Sequence, residues 1–418
     1  MRRRVTVITL LIGAVCVAGF FGRGRLRRIL RVLPAVRELT ASSGNRAGSS
    51  LNGPAQKELI YVALPGSLER SPDQNGNGIV VLDARNNYNF VKRIPVFDIP
   101  ASRNPEQIAG VTASPATQMI YIATRGRLAA IDLTTEQKAW ENAYDNQCCE
   151  RPQISPDGSF MYVGSDLKDF WYVVNPKTGN LITKVMAPLS PNSHNLNLSA
   201  DGRWAFMAPN GKVMSIADTS KHQTVKTIAF NDSIRVFVLN HDSTRIYTNQ
   251  DNLLGFQIAD VAGGKVVYTV EVQGFPWREQ WFATPPPKIP HACPSHGIAL
   301  TNDEKEVWLA DGIHNYIHIF DNTVMPPKQI TSVKTTAGPY WITMGLGGKL
   351  AYISSGDIID IKRRKIIGQM KDEYGRTMYS EKLLDILFYN GKLMRVANQF
   401  GNGLTASTPA ARVLASSR

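Results

Sequence analysis

The chain is short of cysteine and of the motifs that mark familiar cofactor chemistry. It has 4 cysteines in 418 residues, and Cys16 lies inside an apolar run, so a disulfide framework is excluded. The sequence contains no C-x-x-C, H-E-x-x-H, C-x-x-C-H, phosphate-loop or dinucleotide-binding pattern. These absences remove the motif-based cases for zinc proteases, haem attachment and nucleotide binding.

Positive charge is plentiful, but most of its excess lies at one end of the chain. The formal net charge is +13, and residues 1–40 hold nine arginines and a single acid, Glu38, for a net of +8. The other residues therefore carry only +5, and this charge is dispersed. Nucleic-acid-binding domains concentrate basic residues on one face or stripe. The sequence accordingly predicts no nucleic-acid partner.

The N-terminal segment has the composition of a targeting sequence. It reads MRRR, then a 17-residue apolar run at 5–21, then an arginine-rich stretch at 23–31. This length fits a long signal-peptide core or a short membrane span. We predict a signal peptide or N-terminal membrane anchor at 1–31 and a linker at 32–58. A protein with such a segment is expected to be periplasmic or otherwise extracytoplasmic, either anchored to a membrane or secreted. Its contact with the membrane is expected to be made through this segment.

One pattern recurs from residue 59 onward. An apolar strand and a turn precede an aromatic-led strand, and a further strand ending in Asp or Asn follows. The aromatic-led strands read YVAL, YIAT, YVGS, FMAP, YTNQ, WLAD and YISS. Their first residues are separated by 60, 41, 44, 41, 61 and 44 positions, and insertions at about 65–78 and 273–292 account for the two long spacings. The repeating unit is therefore a little over 40 residues.

A unit of this length with four short strands is typical of a propeller blade. We predict an all-β, seven-bladed β-propeller over residues 59–400, followed by a disordered tail at 401–418. The first blade has no inner strand before Leu59, whereas KLLDILFYNGK at 382–392 has the pattern of one. A C-terminal strand is thus expected to complete the first blade and close the ring, because closure removes an open sheet edge.

The strands YVAL and YVGS also carry a family resemblance. The chain resembles the YVTN-type seven-bladed β-propeller repeat family, which includes lactonase-like and amine dehydrogenase β-subunit-like propellers, over about residues 59–395. The resemblance implies a propeller with a central channel, and it implies no single activity.

Equivalent positions at the start of the inner strands form the candidate site. Inner strands line the channel, and the loops that enter them share one face. Counting back twelve residues from each aromatic reaches one equivalent position in six blades. These residues are Ala109, Glu150, His194, Arg235, His296 and Tyr340. We predict that the five polar ones converge at the channel mouth and bind a ligand.

Several chemistries remain open for this site. His194 and His296, together with His291, are candidate ligands for a divalent metal, because imidazole suits zinc, copper or iron. A lactonase-type hydrolase is the second option, with His194 or His296 as general base and Arg235 holding an anionic group. His314 and His318 are four residues apart, a spacing that predicts a separation of about 13 Å along a strand, too long for joint ligation.

The cysteines outside the apolar run are the adjacent pair Cys148 and Cys149 and the single Cys293. The pair has three possible states: a bridge, a soft-metal site or free thiols. A bridge from the pair to Cys293 is disfavoured, because blades three and six lie nearly opposite across the ring. We predict an exported binding or interaction module whose partner is a protein or small molecule, with the lactonase-type or metal-dependent enzyme as the alternative.

Overall fold

The computed structural model describes residues 56–66, 75–97, 106–145, 148–166, 168–187, 189, 192–282, 293–397 and 400. In this part of the chain 29 strands form seven antiparallel sheets. The N-terminal segment at 1–31, most of the linker, His291 and the tail lie outside the described residues. So do parts of the two insertions.

The strands of the first three blades follow the chain in order. They are β1 (Gln56–Leu64), β2 (Gly78–Asp83), β3 (Asn89–Ile94), β4 (Ile108–Ser114), β5 (Met119–Thr124), β6 (Leu128–Asp132), β7 (Lys138–Asn142), β8 (Glu150–Ile154), β9 (Met161–Gly164), β10 (Phe170–Val174) and β11 (Leu181–Met186).

Blades four to seven repeat the same arrangement. Their strands are β12 (Ser193–Leu198), β13 (Trp204–Pro209), β14 (Val213–Asp218), β15 (Gln223–Ala229), β16 (Ile234–Leu239), β17 (Arg245–Gln250), β18 (Gly255–Asp260), β19 (Lys265–Glu271), β20 (Ser295–Leu300), β21 (Glu306–Asp311), β22 (Tyr316–Asp321), β23 (Lys328–Lys334), β24 (Ile342–Met344), β25 (Leu350–Ile353), β26 (Asp357–Asp360) and β27 (Lys365–Gln369).

The ring closes as the sequence predicts. Strand β28 (Leu383–Tyr389) pairs antiparallel with β1, so the C-terminal part of the chain supplies the inner strand of the first blade. Strand β29 (Lys392–Val396) then pairs with the other edge of β28 and makes this sheet five-stranded. Six sheets therefore have four strands and the closing sheet has five.

The aromatic residue that leads each second strand is part of the core. Tyr61, Tyr121, Tyr162 and their four counterparts are almost wholly buried, and burying each such side chain contributes about 1.5–3 kcal/mol. The outermost strands alternate instead between exposed and partly buried residues, as in β15. This period of two is expected for a strand with one face against a neighbouring blade.

One short helix, α1 (Arg278–Trp281), lies in the second insertion. Within the described part of the chain, no helix is long and apolar enough to cross a membrane. The predicted anchor at 1–31 lies outside those residues.

Candidate functional site

The strand register confirms that the predicted site residues are equivalent. Each predicted site residue lies three positions before the inner-strand residue that pairs with the aromatic of the second strand. These pairs are Thr112 with Tyr121, Gln153 with Tyr162, Asn197 with Phe206, Val238 with Tyr247, Ala299 with Trp308 and Thr343 with Tyr352. In the closing blade, Leu384 pairs with Tyr61. Glu381 is therefore the seventh member of the set, which sequence reasoning missed.

Irregular pairing explains how polar residues fit at the start of apolar strands. The register shifts between Ser193 and Asn195 in β12 and between Ser295 and Ile298 in β20. His194 and His296 fall within these shifts. A bulge releases a residue from the ladder and re-aims its side chain. The rest of each inner strand can thus stay paired and packed while the histidine side chain leaves the regular ladder.

Glu150 and His194 form the closest polar pair of the site. His194 Nδ1 lies 2.6 Å from Glu150 Oε2. A carboxylate accepts, so Nδ1 carries the proton and the Nε2 lone pair is the free one. The His194 side chain is 14% exposed, against 6% for Glu150. The histidine is therefore the member of the pair that a ligand can reach.

The surroundings favour a charged Glu150 beside a neutral His194. Burial by itself raises the pKa of Glu150, but the hydrogen bond from His194 and the charges of Arg151 and Lys382 hold that pKa below its usual value. Burial lowers the pKa of His194, and the opposing effect of Glu150 does not restore it. At neutral pH the imidazole is thus unprotonated at Nε2, which makes it an acceptor, a base or a ligand atom.

A buried network of charges extends from this pair across the channel. Arg151 Nε lies 4.0 Å from Glu150 Oε1, and Arg151 Nη2 lies 3.9 Å from Glu381 Oε2. Lys382 Nζ donates to Glu381 Oε2 over 3.2 Å. The Arg151 guanidinium lies 4.5 Å from the centre of the Trp341 ring, and Lys382 Nζ lies 5.0 Å from it. Both cations therefore combine carboxylates with an aromatic ring.

The network joins blades one, three and seven, and small residues in blade two make this possible. The equivalent position there is Ala109, and a Cβ on the adjacent Gly110 would lie 2.6 Å from the Arg151 backbone. Arg151 Nε is buried and makes no hydrogen bond with any described residue. The carboxylates of Glu150 and Glu381 are the nearby charges that balance the Arg151 guanidinium.

Burial also shifts the pKa of two groups beside this network. Removal from water, reinforced by Arg151, lowers the pKa of Lys382 to about 8. Burial and then the charge of Glu150 raise the pKa of Asp166, and Arg125, 3.4 Å from its Oδ2, opposes the shift. The charge of Lys382 is therefore sensitive to pH near neutrality.

Arg235 occupies the equivalent position in blade five. Its Nη2 donates to Asp251 Oδ2 over 2.8 Å and its Nε donates to Asp251 Oδ1, while Nη1 reaches Asn210 Oδ1 at 3.3 Å. The Arg235 side chain is 20% exposed. Cys293 lies near enough for Arg235 to lower its pKa, but burial dominates and raises it. Asp251 therefore fixes the Arg235 guanidinium and balances its charge, and the side chain remains partly exposed to solvent.

His296 and Tyr340 are placed differently from His194 and Arg235. Both are buried, and His296 Nδ1 donates to the Tyr340 carbonyl over 3.0 Å. The His296 ring packs beside Trp341 with centroids 6.3 Å apart. These two residues hold neighbouring inner strands together, whereas His194 and Arg235 face the opening.

The metal hypothesis finds no ligand set in the described part of the chain. No group of three His, Cys, Asp or Glu side chains there is arranged to hold an ion. His194 is engaged with Glu150 and His296 with Tyr340, and the third predicted ligand, His291, lies outside the described residues. The arrangement around His194 is that of an oriented imidazole beside buried cations.

The predicted separation of about 13 Å between His314 and His318 was wrong. His314 Nδ1 lies 2.6 Å and His318 Nε2 lies 3.1 Å from the same oxygen, Asp311 Oδ2. His314 belongs to the turn before β22, so the spacing of an extended strand does not apply. Its Nε2 also reaches the Pro276 carbonyl at 3.1 Å. This second cluster attaches the insertion to blade six.

The adjacent cysteines are bonded to each other. Cys148 and Cys149 form a disulfide that is buried in the core between blades two and three. Cys293 is free and buried. Of the three states open for the pair, the structure shows the bridge.

The seven sheets, with a C-terminal strand closing the ring, define the chain as a seven-bladed β-propeller. No protein-family model matches the chain, and no curated protein matches it. One solved structure with a similar fold is the hydrazine synthase of Kuenenia stuttgartiensis, at 15% identity and a TM-score of 0.40. The match covers 62% of this chain and 96% of that chain. The seven sheets themselves establish the fold.

Proposed function

We propose that this propeller is a binding module that takes a small polar molecule at its channel mouth. The observation that carries the proposal is the contrast between the equivalent positions. Four of them, Glu150, His296, Tyr340 and Glu381, are buried, while His194 and Arg235 in adjacent blades keep partial exposure. A ligand entering the mouth would meet an imidazole acceptor and a guanidinium donor side by side.

The buried network supports those two residues as a rigid base. Glu150 orients His194, and Asp251 orients Arg235. Binding groups that are fixed before the ligand arrives lose less conformational entropy on association. A ligand with a hydroxyl or amide donor beside an acceptor oxygen matches this pair.

A panel of sugars, lactones, amino acids and small carboxylic acids tests the proposal by thermal shift. At least one compound should raise the Tm of the full chain, because a ligand that binds the native state stabilises it. The shift should be lost in His194→Asn and in Arg235→Gln. It should persist in His222→Asn, whose histidine lies at the far end of blade four. Shifts that survive in both mouth variants would contradict the proposal.

The Glu150–His194 pair also favours a second candidate, a hydrolase of the lactonase type. An imidazole held by a carboxylate through Nδ1 can remove a proton from water through Nε2. His296 does not meet this requirement, because it is buried and bonded to a carbonyl. Lactone hydrolysis abolished by His194→Asn but retained in His296→Asn would favour this candidate over binding alone.

The YVTN-type family assignment and an extracytoplasmic location belong to the same proposal. The aromatic-led strands support the first, and the N-terminal composition supports the second. The Cys148–Cys149 disulfide is compatible with an oxidising compartment. Cell fractionation with an antibody to the propeller tests the location, and recovery with cytosolic markers would contradict it.

A further inference from the structure

The end of the propeller opposite the mouth carries a local excess of positive charge. We call its part on blades seven and one the basic face. It comprises the turn before β25, the turn between β26 and β27, the start of β1, the turn between β2 and β3 and the β28–β29 hairpin. Its cations are Lys57, Arg85, Lys349, Lys362, Arg363, Arg364, Lys365, Lys392 and Arg395, and its acids are Glu58, Asp83 and Asp360.

The two blades form one continuous surface. The Tyr88 ring of blade one meets the Tyr352 ring of blade seven edge-on, with centroids 6.1 Å apart. The Leu346 backbone N–H of blade seven donates to Asp385 of blade one over 2.9 Å. The charges of both blades therefore act on the same side of the molecule.

The corresponding turns of blades four and five are balanced. Their cations are Arg203, Lys221, Arg245 and Lys265, and their acids are Asp201, Asp218, Asp242 and Asp260. Positive charge at the turns is thus not a general property of this propeller. The excess is confined to blades seven and one.

Most of the basic face is not neutralised by the protein itself. Lys57, Lys349, Lys362, Lys365 and Lys392 make no ion pair with a described residue. Arg363 lies 3.6 Å from Asp360, and its side chain is 74% exposed. Exposed cations that lie close together create a positive potential that attracts an anionic surface.

Apolar side chains stand among these charges. Tyr389 is 51% exposed and Met394 is 42% exposed, both on the β28–β29 hairpin beside Lys392. Tyrosine next to lysine or arginine is typical of the membrane–water interface, where the ring meets the lipid and the cation meets the headgroups. A nucleic acid would use the cations but gives no role to the exposed methionine.

The described chain also begins at this face. Strand β1 starts at Gln56, beside the hairpin, where Gln56 pairs with Tyr389. The sequence predicts a signal peptide or N-terminal membrane anchor at 1–31, and residues 32–55 connect it to β1. An anchor retained there would bring an anionic membrane surface within reach of the basic face.

We propose that the basic face docks on an anionic phospholipid surface, with Tyr389 and Met394 entering the interface and the channel mouth directed away from it. Each Lys or Arg near an anionic bilayer adds to the attraction, and salt screens it within a Debye length. This inference is independent of what the mouth binds.

Hydrogen exchange of the full chain on vesicles tests the docking. Phosphatidylcholine vesicles with and without phosphatidylglycerol both accommodate an apolar anchor, so the comparison isolates the effect of charge. Charge variants of the face then separate its contribution from that of the arginines at 23–31. With phosphatidylglycerol, exchange should slow severalfold at 361–364 and at 389–392 and stay unchanged at 201–203 and 242–244. The protection should disappear at high salt.

Two matched variants complete the test. Lys349→Gln/Lys362→Gln/Arg363→Gln/Lys365→Gln should lose the protection, and Arg203→Gln/Lys221→Gln/Arg245→Gln/Lys265→Gln removes equal charge and should keep it. Protection that is equal on both vesicle types, or that survives in the first variant, would overturn the proposal. Equal protection by heparin without lipid would assign the face to soluble polyanions and also overturn it.

Discussion

The two ends of this propeller use charge in opposite ways. At the mouth, Glu150, Arg151, Glu381 and Lys382 are buried and engaged with one another. At the opposite end, Lys349, Lys362 and Arg363 lie in exposed turns. Buried charges require partners, because a buried ion loses its hydration and only an opposite charge or a hydrogen bond offsets that loss. Exposed turns impose no such demand, and their charges remain available to external partners.

The largest expected difference concerns one arginine at each end. Arg151→Met should lower the free energy of unfolding by about 3–5 kcal/mol, because it leaves Glu150 and Glu381 buried without their shared cation. Arg363→Met, in an exposed turn, should change it by less than about 0.5 kcal/mol. Urea unfolding of both variants gives the comparison. Equal losses would show that the network is not a structural element.

Two glycines provide a second matched pair. A Cβ at Gly110 would lie 2.6 Å from the Arg151 backbone, whereas nothing lies within 4 Å of one at Gly347. Gly110→Ala should therefore cost about 1–3 kcal/mol of stability through forced backbone movement. Gly347→Ala should be neutral within about 0.5 kcal/mol. Thermal unfolding distinguishes them, and a neutral Gly110→Ala would mean that blades two and three pack less tightly than described.

Asp385 tests whether burial, rather than position at the mouth, governs the behaviour of charge. It lies on the closing strand towards the opposite end, and burial followed by repulsion from Glu58 raises its pKa to about 7. A raised pKa favours the protonated carboxyl in the folded state. Its contribution is complete below pH 4 and is lost as pH rises through about 7.

Asp385→Asn should consequently be more stable than the parent at pH 8, by about 1–2 kcal/mol, and similar to it near pH 4. Chemical denaturation across this pH range measures the change in slope. Asp169→Asn, at a partly exposed carboxyl between β9 and β10, is the control. A parent protein whose stability does not fall between pH 5 and 8 relative to Asp385→Asn would contradict the expectation.

The smallest expected effect separates two histidines at opposite ends. The hydrogen bond that His314 donates to Asp311 raises the pKa of this histidine, which lies at the mouth end. Burial lowers the pKa of His222 in a far turn. The stabilisation from His314 is present below its unfolded pKa near 6.5 and is lost as pH rises through the folded value.

His314→Gln should thus cost less than about 1 kcal/mol at pH 6 and nothing at pH 9. For His222→Gln the pH dependence should have the opposite sign, because the neutral ring is the favoured form there. Melting temperatures over this range decide the matter, and parallel profiles for the two variants would contradict the assignment of their charges.

Much of the fold was predictable because its signals are local. The aromatic that leads each second strand, the turn before it and the strand after it recur at a readable spacing, and the structure confirms the blades and the closing strand. The equivalence of Glu150, His194 and Arg235 followed from the same count. Glu381 was missed because the count began at the aromatics, and the inner strand of Tyr61 lies at the other end of the chain. Counting three residues back from Leu384, the partner of Tyr61, identifies Glu381.

Other features depended on contacts that no spacing encodes. The meeting of Arg151 with Trp341 crosses from blade three to blade seven. His314 and His318 share Asp311 because a turn folds the chain back, which a strand distance does not describe. Burial of His296 and exposure of His194 arise from different neighbours at equivalent positions.

The sequence by itself determined which residues form strands, which aromatics fill the blades and which polar residues share a position at the start of the inner strands. These properties follow from the period-two alternation of side chains and from turn chemistry within single repeats. Only the tertiary structure decided which of those polar residues are buried and paired and which face a ligand. Closing the ring brings residues from blades one, three and seven to one axis. Charges that lose their hydration there must pair with one another, so burial determines which residues become partners.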